Sequence, residues 1–128
     1  MSRTWLVLGV LVIAACGPRA TDVAGIWEGT WAASDRQSTG TLRVDITQRG
    51  KTITGEIRLS LDWLPQARIE GIVEGERVRW GVLRGRLVLL TFEGRVTGDS
   101  AEGTYAIGAG PGGAAPGGSW TARRVRRR

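Results

Sequence analysis

Among the side chains that most often do protein chemistry, this 128-residue sequence has one cysteine, Cys16, and no histidine. A serine nucleophile would therefore lack an imidazole base, and the common cysteine and histidine zinc sets lack their parts. Paired carboxylates could still do acid–base work. Asp35, Asp62 and Asp99, however, fall in three different turn regions, with Asp99 expected at the opposite end of the fold. Five polar–glycine dipeptides recur inside alternating runs: Glu28-Gly29, Thr54-Gly55, Glu70-Gly71, Glu93-Gly94 and Glu102-Gly103. Their polar members would stand on the outside of separate strands without a shared water-excluding cleft, while the inward glycine lets a strand bend sharply. Gly108-Ala109-Gly110-Pro111-Gly112-Gly113 matches a phosphate-loop glycine spacing, but Ala114-Ala115-Pro116 follows and opens no helix to hold a phosphate. Its composition is that of a flexible linker. These features predict a protein that is not an enzyme and that holds no metal and no cofactor beyond what Cys16 itself carries.

A lone thiol needs its own explanation, and its flanks supply one. Met1 to Thr4 contain one basic residue, Arg3, the apolar run Trp5 to Ile13 follows, and Ala14 and Ala15 are small. That is the layout of a secretory signal peptide, expected as a helix over residues 1–15. The run is far shorter than the roughly 20 residues a spanning helix requires. Ile13-Ala14-Ala15-Cys16 resembles the bacterial lipobox. The resemblance implies cleavage before Cys16, diacylglycerol and an N-acyl chain, such as palmitate, on that residue, and a lipid-anchored place in the bacterial cell envelope. The bilayer is then the first partner. Gly17 stands where an inner-membrane retention aspartate would stand in enteric bacteria, which turns the expectation toward the periplasmic face of the outer membrane. Lipidation would also protect an exported thiol from oxidation.

The net charge of +6 is unevenly distributed. Arg123, Arg124, Arg126, Arg127 and Arg128 crowd the last six residues, whereas Cys16 to Ala122 carries 12 basic and 12 acidic residues. A neutral body with a basic end, in an exported protein, predicts contact with anionic lipid or another envelope component and not with nucleic acid.

Period-two alternation fills the remaining chain. Strands are expected over 25–32, 39–48, 52–59, 67–74, 77–82, 86–97, 101–107 and 118–125. One face collects Trp27 and Trp31; Leu42, Val44 and Ile46; Ile53, Ile57 and Leu59; Ile69 and Val73; Val78, Trp80 and Val82; Val88, Leu90, Phe92 and Val96; Tyr105 and Ile107; Trp120 and Ala122. The other face is mostly Glu, Thr, Arg and Asp. A single sheet this long would leave its dry face bare, so it should close on itself. The expected fold is all-β: an antiparallel, up-and-down, eight-stranded barrel over 25–125, after a signal peptide (1–15) and a lipidated tether (16–24), with 126–128 as a basic tail. Tight turns near Gly50, Gly75 and Gly98 fall at one end, and mostly longer loops fall at the other. Strand parity sends the tether and the basic tail out together at the tight end.

Gly25-Ile26-Trp27 opening the first strand, with arginines ending the last, resembles the calycin superfamily of lipocalins and avidins. The resemblance implies that Trp27 closes the barrel floor and that Arg123 or Arg124 covers it through a cation–π contact. The Gly-x-Trp start and the Gly-Ser-Trp-Thr finish also resemble small bacterial lipoproteins. Inside such a barrel the aromatics either fill the core, or Trp31, Trp80, Trp120 and Tyr105, with Trp63 in a mouth loop, line a cup for a small apolar ligand. Leu61-Asp62-Trp63-Leu64-Pro65 would cap the mouth, tuck locally or meet a partner protein. The Ser100, Gly103 and Tyr105 region is similar to the recognition loop of lipobox-bearing barrels that inhibit lysozyme. The module is expected to be a monomer that binds or supports, with ligand carriage or enzyme inhibition as alternatives.

Overall fold

The computed structural model describes residues 21–35, 37–108 and 115–127. The expected signal-peptide helix, Cys16 and Arg128 lie outside the described residues. Eight strands follow in order: β1 (Gly25–Ala33), β2 (Thr39–Arg49), β3 (Thr52–Leu59), β4 (Gln66–Glu74), β5 (Arg77–Arg84), β6 (Leu87–Thr97), β7 (Ser100–Ile107) and β8 (Ala115–Arg127). Each pairs antiparallel with its neighbours, and β1 pairs with β8, so the sheet closes into the barrel that the alternation predicts.

The turns after β2, β4 and β6 each contain a glycine in the left-handed region, at Gly50, Gly75 and Gly98, with φ of 61°, 58° and 61°. L-residues with a Cβ resist that conformation, which is why glycine marks these hairpins. Within the sheet, Gly94 and Gly103 face each other across β6 and β7. A Cβ on Gly94 would stand 2.7 Å from Trp120 Cζ2, and one on Gly103 would enter the Glu93 carbonyl. The wall therefore bends tightly there, with the Trp120 indole seated against it.

The core is the inner face of all eight strands, with Ile53, Ile57, Ile69, Val73, Val82 and Phe92 essentially closed to solvent. Each such aliphatic side chain contributes on the order of 1.5–3 kcal/mol when buried. The apolar side faces inward and the charged side faces water, the reverse of a lipid-spanning barrel. Three bulges interrupt the alternation. In β6, Leu90 pairs with Val82 but Val88 pairs with Leu83, so the extra residue Leu89 reverses the parity. Val88, expected inside, instead lies over Gly81 on the outside, and Leu89 packs against the core. Ile107 keeps its expected face but ends beyond the covered interior, 49% exposed.

Candidate functional site

At the closed end the sheet is finished by residues that precede it. Thr21 donates from its amide and its hydroxyl to the Gly75 carbonyl. Val23 donates its amide to Gln48 Oε1 at 2.7 Å, and Gln48 Nε2 donates back to the Thr21 carbonyl at 2.9 Å. Val23 is buried, and its carbonyl accepts from Trp27 Nε1 at 3.0 Å. Thr21–Ala24 is thus a strap fixed across the barrel floor, which shortens the expected free tether.

Arg124 locks this strap. It shares the inward phase of Trp120 and Ala122 and sits opposite Trp27, its side chain only 2% exposed. Its guanidinium lies 4.9 Å over the Trp27 ring. It donates to Asp99 Oδ1 at 2.8 Å and to the carbonyls of Asp22, Ala24 and Gly98 at 3.0, 3.1 and 3.2 Å. The hydrogen bond from Arg124, aided by the charge of Arg127, holds the Asp99 carboxyl below its ordinary range. Between the two arginines that the strand-one motif offered, the floor cover is Arg124, and the bulge at Val125 turns Arg126 back outward.

The five arginines therefore do not form one surface group. Arg124 is committed to the floor and cannot meet an external surface. Arg123 is exposed on the outer wall opposite Glu28, and Arg127 pairs with Asp99 at 2.8 Å while remaining 58% exposed. Arg126 is exposed, and Arg128 lies outside the described residues. Arg126 and Arg127 are strand residues opposite Ile26 and Gly25 rather than a separate tail, because β8 continues the ladder to Arg127.

Five interior aromatics above the floor form one chain of contacts. Trp31 meets Tyr105 edge-on at 6.4 Å, Tyr105 stacks on Phe92 at 5.4 Å, Phe92 on Trp80 at 5.2 Å, and Trp80 tilts against Trp120 at 5.2 Å. Such ring pairs contribute about 0.5–1.5 kcal/mol beyond their buried area. The residues picked for a cup, Trp31, Trp80, Trp120 and Tyr105, are thus brought together and packed on one another. Trp120 Nε1 donates to the carbonyls of Glu93 and Thr104, both at 3.1 Å. Trp31 Nε1 and Trp80 Nε1 are buried with no acceptor. Burial, with a smaller contribution from the Asp35 charge, raises the Tyr105 hydroxyl above its ordinary value. Ser100, Gly103 and Tyr105 all belong to β7, where Tyr105 packs against Trp31 and Phe92.

Trp63 is apart from this group. Its neighbour Leu64 is buried and Leu61 packs against the core, while Trp63 stays 54% exposed at the open end. The loop tucks through its leucines and leaves the tryptophan out. Arg84 Nη2 holds the Trp63 carbonyl at 2.8 Å, joining this loop to the β5–β6 turn, where Leu87 is exposed. Ile107, at the end of β7, is exposed at the same end. A groove of about 810 Å³ runs over the outer wall of β4 to β8, lined by Glu74, Arg77, Arg79, Glu93, Arg95 and Glu102 among others. Among the described residues, no cluster of acidic or sulfur side chains is grouped to hold a metal ion.

The closed antiparallel barrel, with an arginine stacked on a strand-one tryptophan at its floor, is consistent with a calycin-like architecture. No protein-family model matches the chain, and no curated protein matches it significantly.

Proposed function

We propose that this protein is a lipid-anchored bacterial envelope protein whose barrel serves as a non-catalytic binding or structural module. The observation that carries the reading is its polarity. The strap that leads back toward Cys16 is fastened to the closed end, whereas exposed Trp63 and Leu87 stand at the open end. A module held by one pole would present the other outward, toward a partner in the envelope. The ring contacts of the interior support recognition at the rim rather than inside. The test is metabolic labelling with an alkyne fatty acid in a bacterial host, together with the mass of the mature protein. Label on the wild type, none on Cys16→Ala, and a mature chain starting at Cys16 are expected. An unlabelled protein or a different mature N-terminus would overturn the anchor.

A second reading has one specific observation in its favour. The two orphan indole donors, on Trp31 and Trp80, each cost on the order of 1–3 kcal/mol if left dry. A small apolar molecule bearing hydrogen-bond acceptors would satisfy them if the mouth opened to admit it. Native mass spectrometry of the protein from its own host would then detect a retained small mass; an unloaded spectrum would leave the donors to internal water.

A further inference from the structure

The closed end is not evenly charged around its circumference. Strands β8, β1, β2 and β3 are successive neighbours and form one half of this rim. Exposed Arg49 and Lys51 flank Gly50 in the β2–β3 turn, and exposed Arg126 lies near the end of β8. Asp22 and Asp99 both lie within 4 Å of Arg124, and Asp45 and Arg126 flank Ile26 as its partners on β2 and β8. Across the floor, the β4–β5 turn carries Glu74 and Glu76 together with exposed Arg77, which stands opposite Arg95, and Glu76 faces Arg95 at 4.0 Å, so the charges of this half balance.

The strap crosses between these halves. It leaves β1 at Gly25, within the basic arc, and reaches Gly75 of the β4–β5 turn on the other side. Thr21, the first described residue, stands at Gly75, and the five residue steps from it to Cys16 span at most about 18 Å. We infer that the closed end is a seat for an anionic bilayer, held at two points: the acyl tether beside Gly75, and the arc of Arg49, Lys51 and Arg126 opposite it. A single short tether would let the barrel swing about one edge. Cations on the far edge hold the floor flat against the lipid headgroups, and the tether keeps them at high local concentration beside their partner. This inference rests on the lipid-anchor reading for its orientation, but the cationic arc can be measured without the anchor.

The strands close wholly within Gly25–Arg127, so residues 17–128 contain every described element of the fold. That unlipidated domain would be cosedimented with vesicles of phosphatidylcholine alone or mixed with phosphatidylglycerol, at low and at raised salt. We expect binding to the anionic vesicles only, weakening with salt. The triple variant Arg49→Ser, Lys51→Ser, Arg126→Ser should bind about 100-fold more weakly, at roughly fivefold for each cation near the surface. The control Arg58→Ser, Arg79→Ser, Arg86→Ser removes the same charge from other exposed positions and should change binding only a few-fold. Near-ultraviolet circular dichroism of the packed rings would establish that both variants are folded. Equal binding to neutral and anionic vesicles, no binding to either, or an equal loss in the control would overturn the inference. So would retention on an anionic polysaccharide without binding to the vesicles. Since the tested domain lacks Cys16, failure here leaves the anchor reading standing, and absent acylation would leave this measurement unchanged.

Discussion

Replacing Arg124 with alanine tests the account of the barrel floor. The side chain is 2% exposed and donates to three backbone carbonyls as well as to Asp99. Each carbonyl bond contributes roughly 1 kcal/mol net, and a desolvated guanidinium over an indole adds about 1–2 kcal/mol. The Asp99 contact is left out because that carboxylate stands in water. The expected loss is about 4 kcal/mol, a large share of the 5–15 kcal/mol typical of a domain. At a typical urea dependence, the unfolding midpoint should fall by about 2 M. Urea titration followed by tryptophan fluorescence reads this directly, since Trp27 lies beneath the lost guanidinium. Arg126→Ala, one register pair further along β8 and exposed, should stay within about 0.5 kcal/mol of wild type. A loss below 1 kcal/mol for Arg124→Ala, or an equal loss for Arg126→Ala, would refute the lock.

Gly94→Val should cost about 3 kcal/mol, because its Cβ meets the Glu102 carbonyl and Trp120, and the near-ultraviolet signal of Trp120 should change; an undisturbed spectrum and midpoint would contradict the tight bend. In the open-end loop, Leu64→Ala should cost about 2–5 kcal/mol, whereas Trp63→Ser should stay within about 0.5 kcal/mol; the opposite order in thermal unfolding would mean that the tryptophan is the residue that packs. The folded-state pKa of Asp99 is depressed, so its contribution to stability is complete above the unfolded carboxylate value of about 3.9 and disappears as pH falls through the lower folded value. Asp99→Asn should therefore lower the melting temperature near neutral pH and converge with wild type in strong acid; a constant difference at all pH values would exclude the ion pair as the cause.

Strand order and closure were readable because two signals coincided along most of the chain. Hydrophobic residues recur every second position, and glycine stands at turns that demand a positive φ, as at Gly50, Gly75 and Gly98. What alternation cannot reveal is a bulge, because an inserted residue is defined by its partner strand. Counting back from Leu90 puts Val88 inside, but one unpaired position, Leu89, reverses it. Arg124 was available to the same counting, since Trp120, Ala122 and Arg124 share a phase; its charge argued for the surface, and only the ring of Trp27 and the waiting carbonyls make the inward position stable. The strap had no periodic signal. Its contacts run from single backbone and side-chain groups to Gln48 at the end of β2 and Gly75 in the β4–β5 turn, 25 and 54 residues away. Of the cup residues, Trp31, Trp80, Trp120 and Tyr105 come together while Trp63 stays outside, and the sequence does not show that the four would pack on one another with Phe92.

The lock on the floor also sets a schedule for synthesis. Arg124 reaches the carbonyls of Asp22 and Ala24 across 102 and 100 residues of chain, and β1 waits for β8 before its second edge is paired. Until β8 has left the ribosome, the growing chain is an open sheet with two unprotected edges, an aggregation hazard for as long as elongation lasts. A stall in translation after β7 would therefore leave a product that no amount of time could close.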